Sequence, residues 1–237
     1  MLGIDLLYEG KAKQIYSTEN DRHVIMYFKD DATAGNRAKE TKFDGKGALN
    51  CSITTKLFNK ISVPTHYVKT LTDREILVEK VDIIPIEVIV RNRAAGTFCK
   101  RYGLEVGTKL AQPIIEYCVK DDDLNDPPIC EEAILALKLC SREHLRNMHS
   151  QSKYIRIFLT SIMEEIGFEL IDFKLEFGIT NDGQLVLADE ICPDTMRLWK
   201  DNQSYDKDLF RLDSGDLLAG YREVNQRLDS IRWYKVF

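Results

Sequence analysis

The sequence predicts an α+β fold, with an antiparallel sheet in an N-terminal lobe and a mixed C-terminal lobe. In the first third of the chain, four short runs rich in β-branched and aromatic residues are separated by turn-forming residues; they are KQIYS, HVIMYFK, THYVKTL and EILVEKV. In the second half, two long stretches have apolar residues at helical spacing. We place the boundary between the lobes after residue 82, giving lobes of residues 1–82 and 83–237.

Apolar residues at helical spacing predict three helices. The first lies in the N-terminal lobe and ends before Pro64. The second follows Ser141, a suitable N-cap, and ends at Gly167, which suits the position after a helix C-terminus. The third follows Ser214. Their apolar faces comprise Leu49, Ile53, Leu57 and Ile61; Leu145, Met148, Ile155, Leu159, Ile162 and Ile166; and Leu217, Leu218, Tyr221, Val224 and Leu228.

The composition excludes several classes of protein. With 44% hydrophobic residues, 30% charged residues and a net charge of −5, the chain is neither disordered nor basic enough to bind a nucleic-acid backbone. We therefore expect small-molecule partners and no nucleic acid. No apolar run reaches the roughly 20 residues that span a bilayer, and the start lacks signal-peptide features, so we expect no membrane contact and a cytoplasmic location.

Cysteine and histidine spacing removes further possibilities. The six cysteines include no Cys-x-x-Cys pair, which predicts neither a zinc site nor a disulfide framework. The four histidines show no metalloprotease spacing and no arrangement that marks a nucleophile triad. The acidic run at 120–131 is interpreted as a surface loop, with metal binding as the alternative. Lysine, arginine and carboxylate side chains must then carry any chemistry.

The segment YEGKAKQIY places Gly10, Lys11 and Lys13 in a turn before a strand. Backbone N–H groups and two cationic heads could clamp the phosphates of a nucleotide there. The segment matches neither a Walker A loop nor a complete G-x-G-x-x-G, so these residues alone favour a hairpin turn with ordinary surface lysines. Both interpretations stay open from these residues alone.

The segment IPIEVIVRNRAAGT starts as an apolar strand and ends where Arg91, Arg93 and the backbone around Gly96 and Thr97 could converge on a phosphate. A strand end with solvated arginines is the alternative. Glu87 lies within the apolar strand, where an acid is costly unless paired. A structural ion pair explains Glu87 as well as a site does.

The segment DFKLEFGITNDGQLVLADE contains several carboxylate residues along a predicted apolar hairpin. If Asp182-Gly183 is a two-residue turn, Glu176 lies directly across from Asp189, and Lys174 across from Ile191. Opposed carboxylates repel each other, and a divalent cation bound by both strands would relieve the repulsion. A salt-bridged or solvated hairpin is the alternative, and a longer loop would shift the register.

Further charged residues flank this hairpin. Asp172 and Lys174 share a strand face with Glu176 by the period of two, which suits an anionic substrate group. Asp194 and Arg197 follow in a loop after the hairpin, where either a functional role or a plain turn is possible. Lys207 and Arg211 lie one helical turn apart, which also fits a solvated helix face.

Taken together and in this order, these segments resemble the SAICAR synthetase family of purine biosynthesis across nearly the whole chain. The motifs that carry the resemblance are YEGKAKQIY, FKDDATAGN, FDGKGALN, IPIEVIVRNRAAGT, DFKLEFG and LADEICPDTMRLW. The resemblance implies a ligase that uses ATP and Mg²⁺ to join L-aspartate to the carboxylate of carboxyaminoimidazole ribonucleotide (CAIR), releasing ADP and phosphate. It also implies a kinase-like and ATP-grasp-like cleft between the lobes, and a homodimer.

The resemblance also implies residue roles. The nucleotide would be held by Gly10, Lys11, Ala12, Lys13, Lys80 and Val81, and the metal by Glu176 and Asp189. The ribotide would be bound by Arg91, Thr97, Asp194, Arg197, Lys207 and Arg211, with Asp172 and Lys174 beside its reacting carboxylate. The family usually has serine at position 97 and a Ser-Ser pair at 195 and 196, where this chain has Thr195 and Met196. That loop is therefore expected to hold the ribotide somewhat differently.

The chemistry favours transfer of the γ-phosphoryl group of ATP to the substrate carboxylate, followed by attack of the aspartate amine on the acyl phosphate. Such catalysis depends on positioning and charge neutralisation and needs no protein nucleophile. A small-molecule kinase would share these features but need no aspartate. A non-catalytic nucleotide-binding module would bind ATP without turnover.

Overall fold

A computed structural model describes residues 4–35 and 38–231 of the chain. In chain order, its elements are β1 (Leu6–Glu9), β2 (Lys13–Ser17), β3 (His23–Phe28), β4 (Asp31–Ala34), β5 (Lys39–Lys42), α1 (Lys46–Phe58), β6 (Tyr67–Thr70), β7 (Glu75–Glu79), β8 (Val81–Arg93), α2 (Thr97–Tyr102), β9 (Lys109–Val119), β10 (Pro128–Ile129), α3 (Glu131–Ala136), α4 (Arg142–Glu165), β11 (Glu169–Thr180), β12 (Leu185–Ala188), β13 (Met196–Lys200), β14 (Gln203–Ser204), α5 (Asp208–Arg211) and α6 (Leu217–Ser230). The predicted α+β class is confirmed.

The first sheet contains all four strand runs predicted in the first third of the chain. Its spatial order is β1-β2-β3-β7-β6, and every pairing in it is antiparallel. Alternate residues of β3 and β7, including Met26 and Ile76, are buried together with Cys51 of α1. This small core fixes α1 against one face of the sheet.

The second sheet has seven strands in the order β10-β9-β8-β11-β13-β14, with β12 paired to β11. Its central pair, β8 and β11, is antiparallel and sets Arg91 beside Asp172 and Glu87 beside Glu176. The main hydrophobic core lies between this sheet and α4. The predicted boundary after residue 82 falls within β8, near its start at Val81, and this division of the chain into lobes stays a prediction.

The three predicted helices correspond to α1, α4 and α6. The Ser141 side chain accepts a hydrogen bond from the His144 amide at 3.0 Å, which caps α4 as expected. Gly167 adopts φ +80° directly after that helix, a conformation that glycine takes without strain. Helix α6 is capped by Asp216 and packs on α1. No helix in the described ranges is long and apolar enough to cross a membrane.

The predicted register of the β11–β12 hairpin is wrong by one residue. Glu176 lies across from Ala188, not Asp189. The turn is a residue longer than expected: the Thr180 amide donates to the Gln184 carbonyl at 2.9 Å, and Gly183 takes φ +81° at the end of the loop. The acid opposite Glu176 is Glu87, on the neighbouring strand β8.

Candidate active site

A cleft of about 780 Å³ lies between the two sheets. Strands β1, β2, β3 and β7 form one wall, and β8, β11 and the segment 189–197 form the other. The residues to which the family resemblance gave a role all line this cleft: Gly10, Lys11, Ala12, Lys13, Lys80, Val81, Arg91, Thr97, Asp172, Lys174, Glu176, Asp189, Asp194, Arg197, Lys207 and Arg211. The fold therefore brings together residues that are separated by up to two hundred positions.

One part of the cleft is apolar. Ile15, Val24, Met26 and Val78 of the first sheet project into it, close to the strand connection at Lys80 and Val81. The Lys80 amide donates to the Arg22 carbonyl at 2.8 Å, which fixes this connection beside the sheet. An apolar slot next to main-chain polar groups suits a planar heteroaromatic ring.

The loop between β1 and β2 carries Lys11 and Lys13 into the cleft. The Gly10 amide donates to the Lys13 carbonyl at 2.9 Å and closes the turn. Lys11 Nζ reaches across the cleft to Asp122 Oδ1 at 2.6 Å. The acidic loop that begins after Lys120 thus belongs to the rim of the cleft, although it was interpreted as a plain surface loop.

A cluster of lysines and carboxylates occupies the centre of the cleft. Lys174 Nζ lies 2.7 Å from Glu176 Oε1, 2.8 Å from Glu87 Oε1 and 3.9 Å from Asp189 Oδ2. Lys120 Nζ is 2.8 Å from the same Glu176 oxygen. The hairpin argument predicted the wrong pair of opposed carboxylates, because Glu176 lies opposite Glu87 of β8 and not opposite Asp189. Lys174 bridges Glu87 and Glu176.

Lys13 is held by the two acids that follow β12. Its Nζ contacts Asp189 Oδ1 and lies 2.9 Å from Glu190 Oε1. Burial alone would lower the pKa of Lys13, but these carboxylates raise it well above its usual value. Burial alone would raise the pKa of Asp189, but Lys13 and Lys174 hold it well below its usual range. Both partners are therefore charged at neutral pH.

Glu176 and Asp189 fit the requirements of a hard divalent cation. Carboxylate oxygens are the ligands that Mg²⁺ prefers. Both carboxylates approach one nitrogen, Lys174 Nζ, so a single cationic centre already lies between them. A second acidic group, formed by Glu190, Cys192 and Asp194, also has oxygen and sulfur atoms close together. There the Lys46 ammonium already supplies the cation, 2.5 Å from Asp194 Oδ2.

The other end of the cleft is rich in arginine. Arg91 Nη1 is 2.5 Å from Asp172 Oδ2, and Arg197 Nη1 is 2.9 Å from the same oxygen. Arg197 also binds Asp208 through Nε at 2.8 Å. Asp172 therefore orients two guanidinium groups toward the cleft. Arg93, by contrast, binds Glu169 at 2.5 Å and does not line the cleft.

Helix α5 brings two further cations to this end. Arg211 Nη1 pairs with Asp208 Oδ1 at 2.7 Å. Lys207 lies at the N-cap of α5, where burial lowers the pKa of its ammonium group. A desolvated cation beside Arg211 is well suited to bind a phosphate.

Gly96 makes room for this arrangement. It adopts φ +57°, and a Cβ at this position would lie 2.7 Å from Arg197 Nη2. The next residue, Thr97, begins α2 and lines the cleft. The glycine is thus required both for the backbone turn and for the close approach of the arginine.

Asp194 is anchored inside the protein. Its carboxylate accepts hydrogen bonds from Lys46 Nζ at 2.5 Å, Asn50 Nδ2 at 3.0 Å and the Tyr221 hydroxyl at 2.5 Å. The Lys46 side chain is fully buried. The Thr195 hydroxyl donates within the same loop, to the Cys192 carbonyl at 3.1 Å. The 192–196 loop is therefore held by α1, α6 and its own backbone.

Sequence reasoning assigned no role to several residues of the site. Lys46 and Glu190 lie within family motifs, and Lys120 begins the acidic run at 120–131, but no pattern gave them a role. His66, which is buried and lines the cleft, gave no signal because its partner is a distant backbone carbonyl, that of Asp189, at 3.1 Å. For Lys46 a signal was present: a lysine in the first turn of a helix that is otherwise largely buried.

The cleft combines four features: an apolar slot, a lysine-bearing turn, converging carboxylates and an arginine-rich end. This combination is typical of enzymes that use a nucleotide and a metal to act on an anionic substrate. Comparison with known proteins identifies the family. The family model described as SAICAR synthetase matches residues 6–228, and the chain belongs to this family.

Individual relatives extend over nearly the whole chain. The phosphoribosylaminoimidazole-succinocarboxamide synthase of Finegoldia magna is 49% identical over 230 residues, covering 95% of this chain and 99% of its own. The crystal structure of the same-named protein from Ehrlichia chaffeensis has a TM-score of 0.93 at 42% identity, covering 96% of this chain and 99% of that one. A SAICAR synthetase structure in complex with ADP has a TM-score of 0.90 at 39% identity, covering 94% and 97%.

Proposed function

We propose that this protein is an ATP-dependent carboxylate–amine ligase that joins L-aspartate to the carboxylate of CAIR, giving SAICAR, ADP and phosphate in purine biosynthesis. Its membership of the SAICAR synthetase family supports this activity. The structural observation that carries the proposal is the set of groups along one cleft. The cleft is lined by the lysines of the β1–β2 loop, by the carboxylates Glu176 and Asp189, and by an arginine-rich end.

The nucleotide is assigned to the first sheet. Its base would enter the apolar slot beside Lys80 and Val81, and its phosphates would meet Lys11, Lys13 and the turn at Gly10 and Ala12. The ADP complex of a relative supports nucleotide binding in this fold. Lys11 must leave Asp122 to reach a phosphate, and that exposed ion pair costs little to break.

Glu176 and Asp189 are assigned to Mg²⁺. When bound, the ion would neutralise charge on the phosphate oxygens. Lys174 and Lys120 both contact Glu176, so two ammonium groups lie beside the residues that would hold the metal, where anionic ligands would meet them. Lys174 lies on the same strand face as Asp172, which places it between the metal ligands and the arginine-rich end.

The ribotide is assigned to the arginine-rich end. Its phosphate would be bound by Lys207, Arg211 and the Thr97 hydroxyl, with Arg91, Arg197 and the anchored Asp194 around the rest of the molecule. Asp172 already binds both Arg91 and Arg197. Its role in the proposal is to hold the two guanidinium groups in place beside the carboxylate that reacts.

The reaction then proceeds in two steps. A carboxylate oxygen of CAIR attacks the γ-phosphorus, ADP leaves, and an acyl phosphate forms. The aspartate amine attacks the acyl carbon, phosphate leaves, and the nitrogen gives up a proton as the amide bond forms. Lys174 stabilises the transferring phosphoryl group electrostatically; burial opposes its charge, but Glu176 and Asp189 raise its pKa well above the usual value and keep it charged.

The test is the dependence of ADP release on the two substrates. We expect ADP from ATP only when CAIR and aspartate are both present, with SAICAR formed in equal amount. A stable phosphorylated product without aspartate would identify a kinase, and nucleotide binding without turnover would identify a binding module. Dependence on another acid or amine would refute the substrate assignment but not the ligase class.

The metal assignment has its own variants. Glu176→Ala and Asp189→Ala should each abolish Mg²⁺-dependent turnover while the circular dichroism spectrum stays that of the wild type. Asp182→Ala is the matched control, because this acid lies in the turn of the same hairpin with its side chain 75% exposed. Near-normal activity in both cleft variants would remove the metal site.

We further propose a homodimer in the cytoplasm, on the strength of the family resemblance. Sedimentation equilibrium should give about twice the chain mass of 27.3 kDa. A mass of one chain at the concentrations used for the activity assay would exclude the dimer.

A further inference from the structure

We propose that His66 is a positioning residue that fixes the Asp189 backbone, so that the Asp189 carboxylate faces the cleft beside Glu176. The proposal rests on the assignment of Glu176 and Asp189 to a metal. It goes beyond that assignment because it explains why the two carboxylates converge, although the hairpin register does not bring them together.

The register alone would point Asp189 away from the cleft. Ala188 is the residue opposite Glu176, and opposed residues on paired strands share a face. In an extended strand the next side chain, that of Asp189, would lie on the other face of the sheet. Asp189 instead contacts Lys13 and lies 3.9 Å from Lys174 on the cleft side.

A left-handed backbone accounts for this reversal. Asp189 adopts φ +59°, directly after the last residue of β12. Residues other than glycine are strained in this region, and such strain persists only where the surroundings fix it. The Asp189 carbonyl accepts a hydrogen bond from His66 Nε2 at 3.1 Å. Because a carbonyl cannot donate, the neutral ring must carry its proton on Nε2.

His66 is itself held by both sheets. Its amide donates to the Leu187 carbonyl of β12 at 2.9 Å, and its carbonyl accepts from the Glu79 amide, at the end of β7, at 2.7 Å. Its ring stacks edge-on against Phe58 of α1, with the centroids 5.8 Å apart. The His66 ring thus holds its Nε2–H donor in a fixed position beside Asp189, where the backbone departs from regular strand geometry.

Substitutions of His66 can distinguish the effect of the Nε2–H donor from the effect of the packing of the ring. His66→Phe keeps the packing on Phe58 and removes the donor. His66→Gln offers an amide N–H near the position of Nε2, whereas His66→Asn offers one only near the position of Nδ1. His23→Gln is the control, since His23 begins β3 and does not line the cleft.

The readout is binding of Mn²⁺ to the protein with ADP, followed by electron paramagnetic resonance, which needs neither CAIR nor aspartate. We expect His66→Phe and His66→Asn to raise the Mn²⁺ dissociation constant about tenfold, the lower end of the range for residues that orient metal ligands. His66→Gln should lie close to the wild type, and His23→Gln should be unchanged. In turnover, the Mg²⁺ half-saturation should rise more than kcat falls.

A purely structural role gives a different pattern. If the variants lower the melting temperature but leave the Mn²⁺ dissociation constant unchanged, the proposal is wrong. If His66→Phe and His66→Asn do not fold, ¹⁵N spectra of the wild-type imidazole decide: a proton on Nε2 supports the proposal, and one on Nδ1 alone overturns it. A protein that binds Mn²⁺ with these effects but forms no SAICAR would refute the proposed function and leave the role of His66 intact.

Discussion

Replacing Lys46 with methionine tests whether the buried pair with Asp194 holds the 192–196 loop in place. The Lys46 side chain is fully buried and that of Asp194 is 3% exposed. Removing one partner of a buried ion pair costs about 3–5 kcal/mol, because the remaining charge is left without compensation. The hydrogen bonds from Asn50 and Tyr221 to Asp194 remain, so we expect a loss near 3 kcal/mol at pH 7.

The pH dependence of this loss identifies its cause. Burial alone would raise the pKa of Asp194, but the Lys46 ammonium holds it well below its usual range. In the wild type, the carboxylate therefore stabilises the fold at pH values above about 4, the ordinary pKa of aspartate, and this contribution is lost as the pH falls below it. In Lys46→Met, burial without the ammonium partner should raise the pKa of Asp194. Protonation of Asp194 at low pH then removes the free-energy cost of burying its charge.

The measurement is urea unfolding of both proteins at pH 7 and at pH 4. With a slope of about 3 kcal/mol per molar urea, a loss of about 3 kcal/mol moves the midpoint by about 1 M at pH 7. The difference between the two proteins should be clearly smaller at pH 4. The control is the same comparison made without the Asp194 carboxylate, between Asp194→Asn and Lys46→Met/Asp194→Asn. The difference in unfolding free energy between these two variants should not become smaller at pH 4. An equal difference at both pH values would refute the charge argument and indicate a packing defect.

Three further changes test the cleft. Gly96→Ala should raise KM for the ribotide about tenfold with a smaller change in kcat, since its Cβ would displace Arg197; steady-state kinetics with an unchanged KM would contradict the close approach. Glu190→Gln removes the charge 2.9 Å from Lys13 and should raise KM for ATP while leaving the Mg²⁺ half-saturation as it is; a shift in the metal dependence instead would assign Glu190 to the metal. Asp122→Ala should change the free energy of unfolding by less than about 0.5 kcal/mol in urea titrations, because its pair with Lys11 is largely exposed; a larger loss would show that the pair closes the cleft structurally.

Local patterns in the sequence were sufficient to predict four strands of the first sheet, the β11–β12 hairpin and the three longest helices, but not the shorter elements. The capping serine at 141 and the glycine at 167 are set by contacts within a few residues, so they can be read from neighbouring letters. The strands of the first sheet are likewise marked by composition and turn residues. The residues to which the family resemblance gave a role all line the cleft, but His66, Lys120 and Glu190, which also line it, received none.

The partners of those residues could not be predicted in the same way. The hairpin register depended on one extra loop residue, and the identity of the acid opposite Glu176 depended on β8, which lies some 90 positions earlier in the chain. Lys46, Tyr221 and Asp194 meet only because α1 and α6 pack together. Such contacts are determined by tertiary packing, and the secondary-structure propensity of a local segment does not predict them.

The regular stretch of β11 from Asp172 to Glu176 fixes the distances between its side chains along the cleft. Alternate residues on one strand face are about 7 Å apart, so Asp172, Lys174 and Glu176 mark successive intervals along the cleft. Because β8 pairs with this stretch from Arg91 to Glu87, one strand cannot slide without losing its match with the other. A single-residue insertion there would turn the following side chains to the opposite face. The spacing between these three side chains is thus inherited from the backbone repeat itself, and an insertion or deletion in this stretch would destroy it.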